Sequence, residues 1–156
     1  MTRVRFNRVN AYVAATARAS PRVIHARAFA NAAATRVQAA HIAVNNHASY
    51  EKLQAARIQA SIAASHYRST HAQELANGYM ALVARTLLKD YNVRMDTAFY
   101  ESIHASITMC LLLNNPRKLF LIIADVYSKT RALVKTNNND NTDDAAVVPL
   151  DINDSE

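Results

Sequence analysis

Apolar positions in this chain recur at spacings of three and four, and runs alternating at two are not evident, so the pattern reads as helix. The clearest case starts at Asn115-Pro116, an N-cap followed by Pro at the first helical position, where its missing N–H costs nothing. Leu119, Ile122, Ile123, Val126, Tyr127, Leu133 and Val134 then form one stripe, with Asp125 and Lys129 spaced to pair across a turn. Asp96 opens a helix to about Leu113, whose stripe holds Phe99, Ile103, Ile107, Cys110 and Leu111. A third stripe, Leu75, Tyr79, Leu82, Val83 and Leu87, ends near Asp90, and Asn77-Gly78 is a turn signal expected to separate it from what precedes. These three helices predict a bulky core from about residue 75 to 135.

Upstream the stripe persists but its side chains shrink. After the pair Ser20-Pro21, Val23, Ala26, Ala30, Ala33, Val37, Ala40 and Val44 alternate three and four apart, which is a heptad seam. It loses phase at Asn45-Asn46-His47 and resumes as Leu53, Ala56, Ala60, Ala63 and Tyr67, so an Ala-rich antiparallel hairpin is expected. Past Thr136, the run Asn137-Asn138-Asn139-Asp140-Asn141-Thr142-Asp143-Asp144 has neither period nor helix formers and reads as a disordered tail. Ala145–Leu150 could dock as an extended segment, although the composition favours a solvated tail.

Composition agrees with helix: alanine abounds, while one Gly, three Pro and no Trp leave few sharp turns. The fold class expected is all-α, an irregular helical bundle of four to six helices with an Ala-rich helical hairpin and a disordered acidic C-terminal tail. Residues 1–29, 30–136 and 137–156 are expected as basic N-terminal segment, helical domain and tail. The longest apolar runs, Met109–Leu113 and Leu119–Ala124, fall far short of the ~20 residues of a spanning helix, so no transmembrane segment is expected. Cys110 is the single cysteine and lies inside an apolar run, which suits a small buried hydrophobe better than a reactive thiol.

Candidate chemistry is sparse. Of the six His, none forms an i,i+4 pair, and His66 and His71 diverge by roughly 140° around a helix. Glu101-Ser102-Ile103-His104 has the Glu-x-x-His spacing of di-iron bundles, which need two such motifs, and only one is present. A single glycine, Gly78, excludes the glycine-rich loops that cradle phosphates. No nucleophile elbow is present, and no enzyme activity, metal or cofactor is expected.

Charge is uneven. Residues 1–29 carry six Arg and no acid, residues 30–136 carry twelve bases and six acids, and residues 137–156 carry six acids and no base. The head residues Arg3, Arg5, Arg8, Arg18, Arg22 and Arg27 are therefore the candidate polyanion-binding or targeting residues. They could be a solvated arm, a nucleic-acid contact or an address: the head has the Arg-rich, acid-poor character of a mitochondrial presequence. Val9, Tyr12 and Val13 share a face with Arg18 opposite, and Arg27-Ala28-Phe29-Ala30 resembles the Arg-x-aromatic-small pattern cut by the matrix processing peptidase. Removing 1–29 would leave twelve bases and twelve acids, although the cut would fall within the Ala-seamed helix. Mitochondrial localisation is the first expectation, with nucleus or cytoplasm as the alternative. The function expected is a non-catalytic helical interaction or accessory subunit, binding a protein partner or its own copies through helical surfaces. The alternative is a nucleic-acid-binding structural protein of chromatin or nucleocapsid type.

Overall fold

The computed structural model describes residues 3–46, 49–138 and 146–148. They form the helices α1 (Arg3–Ala19), α2 (Pro21–Asn45), α3 (Tyr50–Tyr91), α4 (Thr97–Leu112) and α5 (Pro116–Asn137). Two short strands, β1 (Val93–Met95) and β2 (Ala146–Val148), complete the described chain. The class is all-α, as the periodicity predicts. No described helix is long and apolar enough to cross a membrane. The chain divides into two compact units, one of residues 15–74 and one of residues 1–14 with 75–156.

The smaller unit realises the heptad seam. Val23, Ala26, Ala30, Ala33, Val37, Ala40 and Val44 are the only residues of α2 that escape full exposure. On α3, Leu53 and Ala63 are buried, and Ala56, Ala60 and Tyr67 are half-buried. Arg22, at the start of α2, donates from Nη1 to Oε1 of Glu74 at 3.0 Å. Since the other end of α2 leads directly into α3, this bridge fixes the pair as antiparallel. Ser20 separates α1 from α2 in an extended conformation, with Pro21 at the first position of α2. Pro disfavours helical backbone in the residue before it, which ends α1 there.

The larger unit holds the bulky core. Tyr79, Met80, Val83 and Leu87 of α3 cluster with Phe99, Ile103, Ile107 and Cys110 of α4 and with Leu119, Ile123, Val126 and Tyr127 of α5. Phe6 and Val13 of α1 belong to the same cluster. Thr130 is completely buried, and its hydroxyl is satisfied by donation to the Val126 carbonyl at 2.8 Å. Asn114 makes the turn between α4 and α5 in the left-handed conformation, φ 50°. The backbone N–H of Asn115 donates to the Cys110 carbonyl and that of Asn114 to the Leu111 carbonyl, the paired bonds of a Schellman ending. Asn115 then starts the next helix, its side chain accepting from the Lys118 N–H at 3.1 Å. Asp125 and Lys129 form the expected ion pair at 3.2 Å.

Two elements depart from the sequence expectation. First, α3 runs through Asn77-Gly78 without a break. The glycine serves packing instead of turning: a Cβ at position 78 would lie 2.9 Å from Cγ1 of Val13. Second, part of the tail is a strand. After Asn92, again left-handed at φ 51°, β1 pairs in parallel with β2, Val93 opposite Ala146 and Met95 opposite Val148. The docking of the patch as an extended segment is thus what occurs at 146–148. The pairing supplies backbone partners to β1. Residues 139–145 and 149–156, also expected to be disordered, lie outside the described residues.

The approach at Gly78 yields a test. Ala is the better helix former by about 1 kcal/mol, yet Gly78→Ala should destabilise the protein, because stiff Val13 must be displaced. Adding Val13→Ala should remove much of that cost. Urea unfolding of the single and double variants should show a coupling of about 1 kcal/mol or more, whereas strictly additive losses would mean that the two helices do not meet there.

Candidate functional site

The head arginines are all exposed and do not converge. Arg3, Arg5 and Arg8 lie on the part of α1 in the larger unit, while Arg18, Arg22 and Arg27 belong to the smaller one. Around α1, Arg5 and Arg8 sit roughly 200° and 140° from Arg3, so the three fan over the solvent side. Arg22 is engaged by Glu74.

The apolar face of the head differs from the one expected. Val13 is buried and Val9 half-buried, but Tyr12 is 61% exposed, and the inward positions are instead Phe6, Val13 and Ala17. Phe6 lies edge-on to Phe120, with ring centroids 5.0 Å apart, and stacks near Tyr79 at 6.3 Å. Phe6, Val9, Val13 and Ala17 are spaced three and four apart, a helical stripe legible in the sequence. Phe29, the aromatic residue of the expected cut motif, is exposed in the middle of α2.

The histidines are dispersed. His104 Nε2 meets Asn77 Oδ1 at 2.7 Å, across from α3, and the ring stacks near Tyr100. His71 stacks on Tyr67, and its buried Nε2 has no hydrogen-bond partner. Burial, followed by the positive charge of Arg18, lowers the His71 pKa and favours the neutral ring. Among the described residues no three of His, Cys, Asp and Glu gather as a metal site. Cys110 is buried and free.

Three surfaces remain. The first is the side of α3 away from the seam, where Ile58 and Ile62 are 62% and 64% exposed; Ile42 is 62% exposed on the side of α2 away from its own seam. Ile24 and Phe29 are exposed on α2 as well. Ile58 and Ile62 are one helical turn apart, opposite the seam, so they form a second apolar stripe. The second surface is an open groove of about 800 Å³ between α4 and α5, bordered by the exposed Met109, Leu113 and Leu121.

The third is a cleft of about 310 Å³ in the larger unit. Tyr79, Leu82, Val83, Thr86 and Asp90 line it from one face of α3, Ile123, Tyr127 and Arg131 from a single file along α5, and Arg5 and Val9 from α1. Its floor is buried at Tyr79, Val83, Ile123 and Tyr127, and its mouth carries the exposed Arg5, Asp90 and Arg131. The Tyr79 hydroxyl donates to Asn10 Oδ1, and burial pushes its pKa up to about 12. Burial also raises the pKa of Tyr127, opposed by a hydrogen bond from Thr86 and by the charge of Arg5. Both phenols are thus held protonated at neutral pH. Sequence reasoning missed this site because its residues come from three separated helices.

No family model matches the chain, and neither the curated proteins nor the solved structures contain a match to it. Its function is therefore to be read from these side chains.

Two outcomes check the geometry. Phe6→Ala should cost roughly 3–5 kcal/mol, while Arg3→Glu and Arg8→Glu should change stability by less than about 0.5 kcal/mol. A small effect of Phe6→Ala in thermal unfolding would detach the head from the core.

The raised pKa of Tyr79 favours the neutral phenol in the folded chain, so its contribution is intact below the ordinary value of 10.0 and is lost as pH climbs from there towards about 12. Stability measured across that window should fall less steeply for Tyr79→Phe than for the parent. An identical slope would contradict the burial of the hydroxyl.

Proposed function

We propose that this protein is a non-catalytic helical interaction subunit whose Ala-seamed hairpin is covered by an acidic, amphipathic helical surface of a partner protein. One observation carries the reading: the seam of the hairpin is mostly alanine, while α3 carries a second apolar stripe, Ile58 and Ile62, in solvent. Ile42 of α2 is exposed as well. Burying each isoleucine at an interface would contribute about 1.5–3 kcal/mol, whereas each seam alanine offers only a methyl group. A second apolar stripe on a helix already packed along its first suits a further helix, anchored at spacings of three and four.

Charge specifies that partner. The unit of residues 15–74 carries Arg18, Arg22, Arg27, Arg36, Lys52, Arg57 and Arg68 against Glu51 and Glu74. Seven bases against two acids in this unit favour an acidic partner surface, which speeds encounter and selects orientation. The burial of Phe6, Val13 and Ala17 supports a structural role for the head, which an address alone does not require.

Nucleic acid is the competing reading, favoured by the same excess of bases, but phosphate contacts do not need exposed isoleucines. Ile58→Glu with Ile62→Glu should abolish co-purification of the native partner, leave the fold intact because both positions face solvent, and leave polyanion binding little changed. Loss of a salt-sensitive polyanion complex on Arg57→Glu and Arg68→Glu, with the isoleucine variants still fully assembled, would reverse the assignment.

A further inference from the structure

The cleft of the larger unit is graded from end to end. Along α5 it passes from buried Ile123 to buried Tyr127 to exposed Arg131, each one turn beyond the last, and along α3 from Tyr79 and Val83 through Thr86 to Asp90. Helical spacing of four places these side chains in file, so the gradient belongs to the helices and not to a flexible loop. Apolar and aromatic groups dominate the buried end, Thr86, Tyr91 and Tyr127 add hydroxyls, and the charged side chains are at exposed positions. A concave apolar volume with a few convergent polar groups is the usual form of a small-molecule site.

We propose that this cleft binds a small amphipathic organic monoanion, with an aryl or branched alkyl body seated among Tyr79, Val83 and Ile123 and its carboxylate at the mouth beside Arg131. Size and charge select that class. A volume of about 310 Å³ accepts a single ring with a short chain. Arg5 and Arg131 against Asp90 leave one net positive charge among the lining residues, which a monoanion balances and a dianion exceeds. Arg131 presents a planar fork of donors suited to a carboxylate. Tyr127 stays protonated at neutral pH, so its hydroxyl is a further donor and offers no opposing charge. A cationic ligand would meet the same net positive charge.

Arg131 and Asp90 are both exposed, so substituting either leaves the core untouched, and the proposal requires opposite effects from them. Titration of the full chain with 4-phenylbutyrate, followed by calorimetry, should give saturable binding. Arg131→Gln should weaken it about tenfold or more, and Asp90→Asn should tighten it. The neutral 4-phenylbutan-1-ol should bind the parent at least about tenfold more weakly than the carboxylate. Equal affinities for acid and alcohol, changes of the same sign in the two variants, or no saturation below about 10 mM carboxylate would overturn the proposal.

Discussion

Residue 78 has no side chain, and the first helix lies against the third where Val13 takes up the space a Cβ would occupy. Much of the larger unit follows from that approach. It brings Phe6 between Tyr79 and Phe120, places Asn10 where it accepts from the Tyr79 hydroxyl, and sets Arg5 and Val9 along the cleft. A methyl group at position 78 would displace the stiff Val13 and with it the wall that α1 supplies.

The two units are built on different economies of burial. In the larger one, aromatic and branched side chains from four helices form a single cluster. In the smaller one the seam is mostly alanine, with Val23 and Leu53 buried in it, while Ile42, Ile58 and Ile62 are exposed. Such a hairpin gains little from its own closure and has more to gain from a cover. The proposed interaction role rests on this imbalance.

Legibility in the sequence followed the range of the interaction. Asn115-Pro116, the Asp125–Lys129 pair and both halves of the seam are local signals, and each appears where its spacing puts it. Gly78 was misread as a break because its reason lies in Val13, sixty-five positions earlier in the chain. The face of α1 that carries Phe6 is settled by Tyr79 and Phe120, which the local pattern around Val9, Tyr12 and Val13 does not contain. Pairing of β2 with β1 joins segments about fifty residues apart, and no periodicity in three residues announces it. The cleft is illegible for the same reason: Arg5, Asp90 and Arg131 share a mouth only once three helices are in place.

The alanine seam has an entropic side as well. An alanine has no rotamers to lose, so closing the hairpin freezes little beyond the backbone, and the helices carry that order already. Leucine or methionine in the same positions would bury more surface but would each surrender side-chain freedom on closure. Packing along the alanines of the seam therefore costs almost no side-chain entropy.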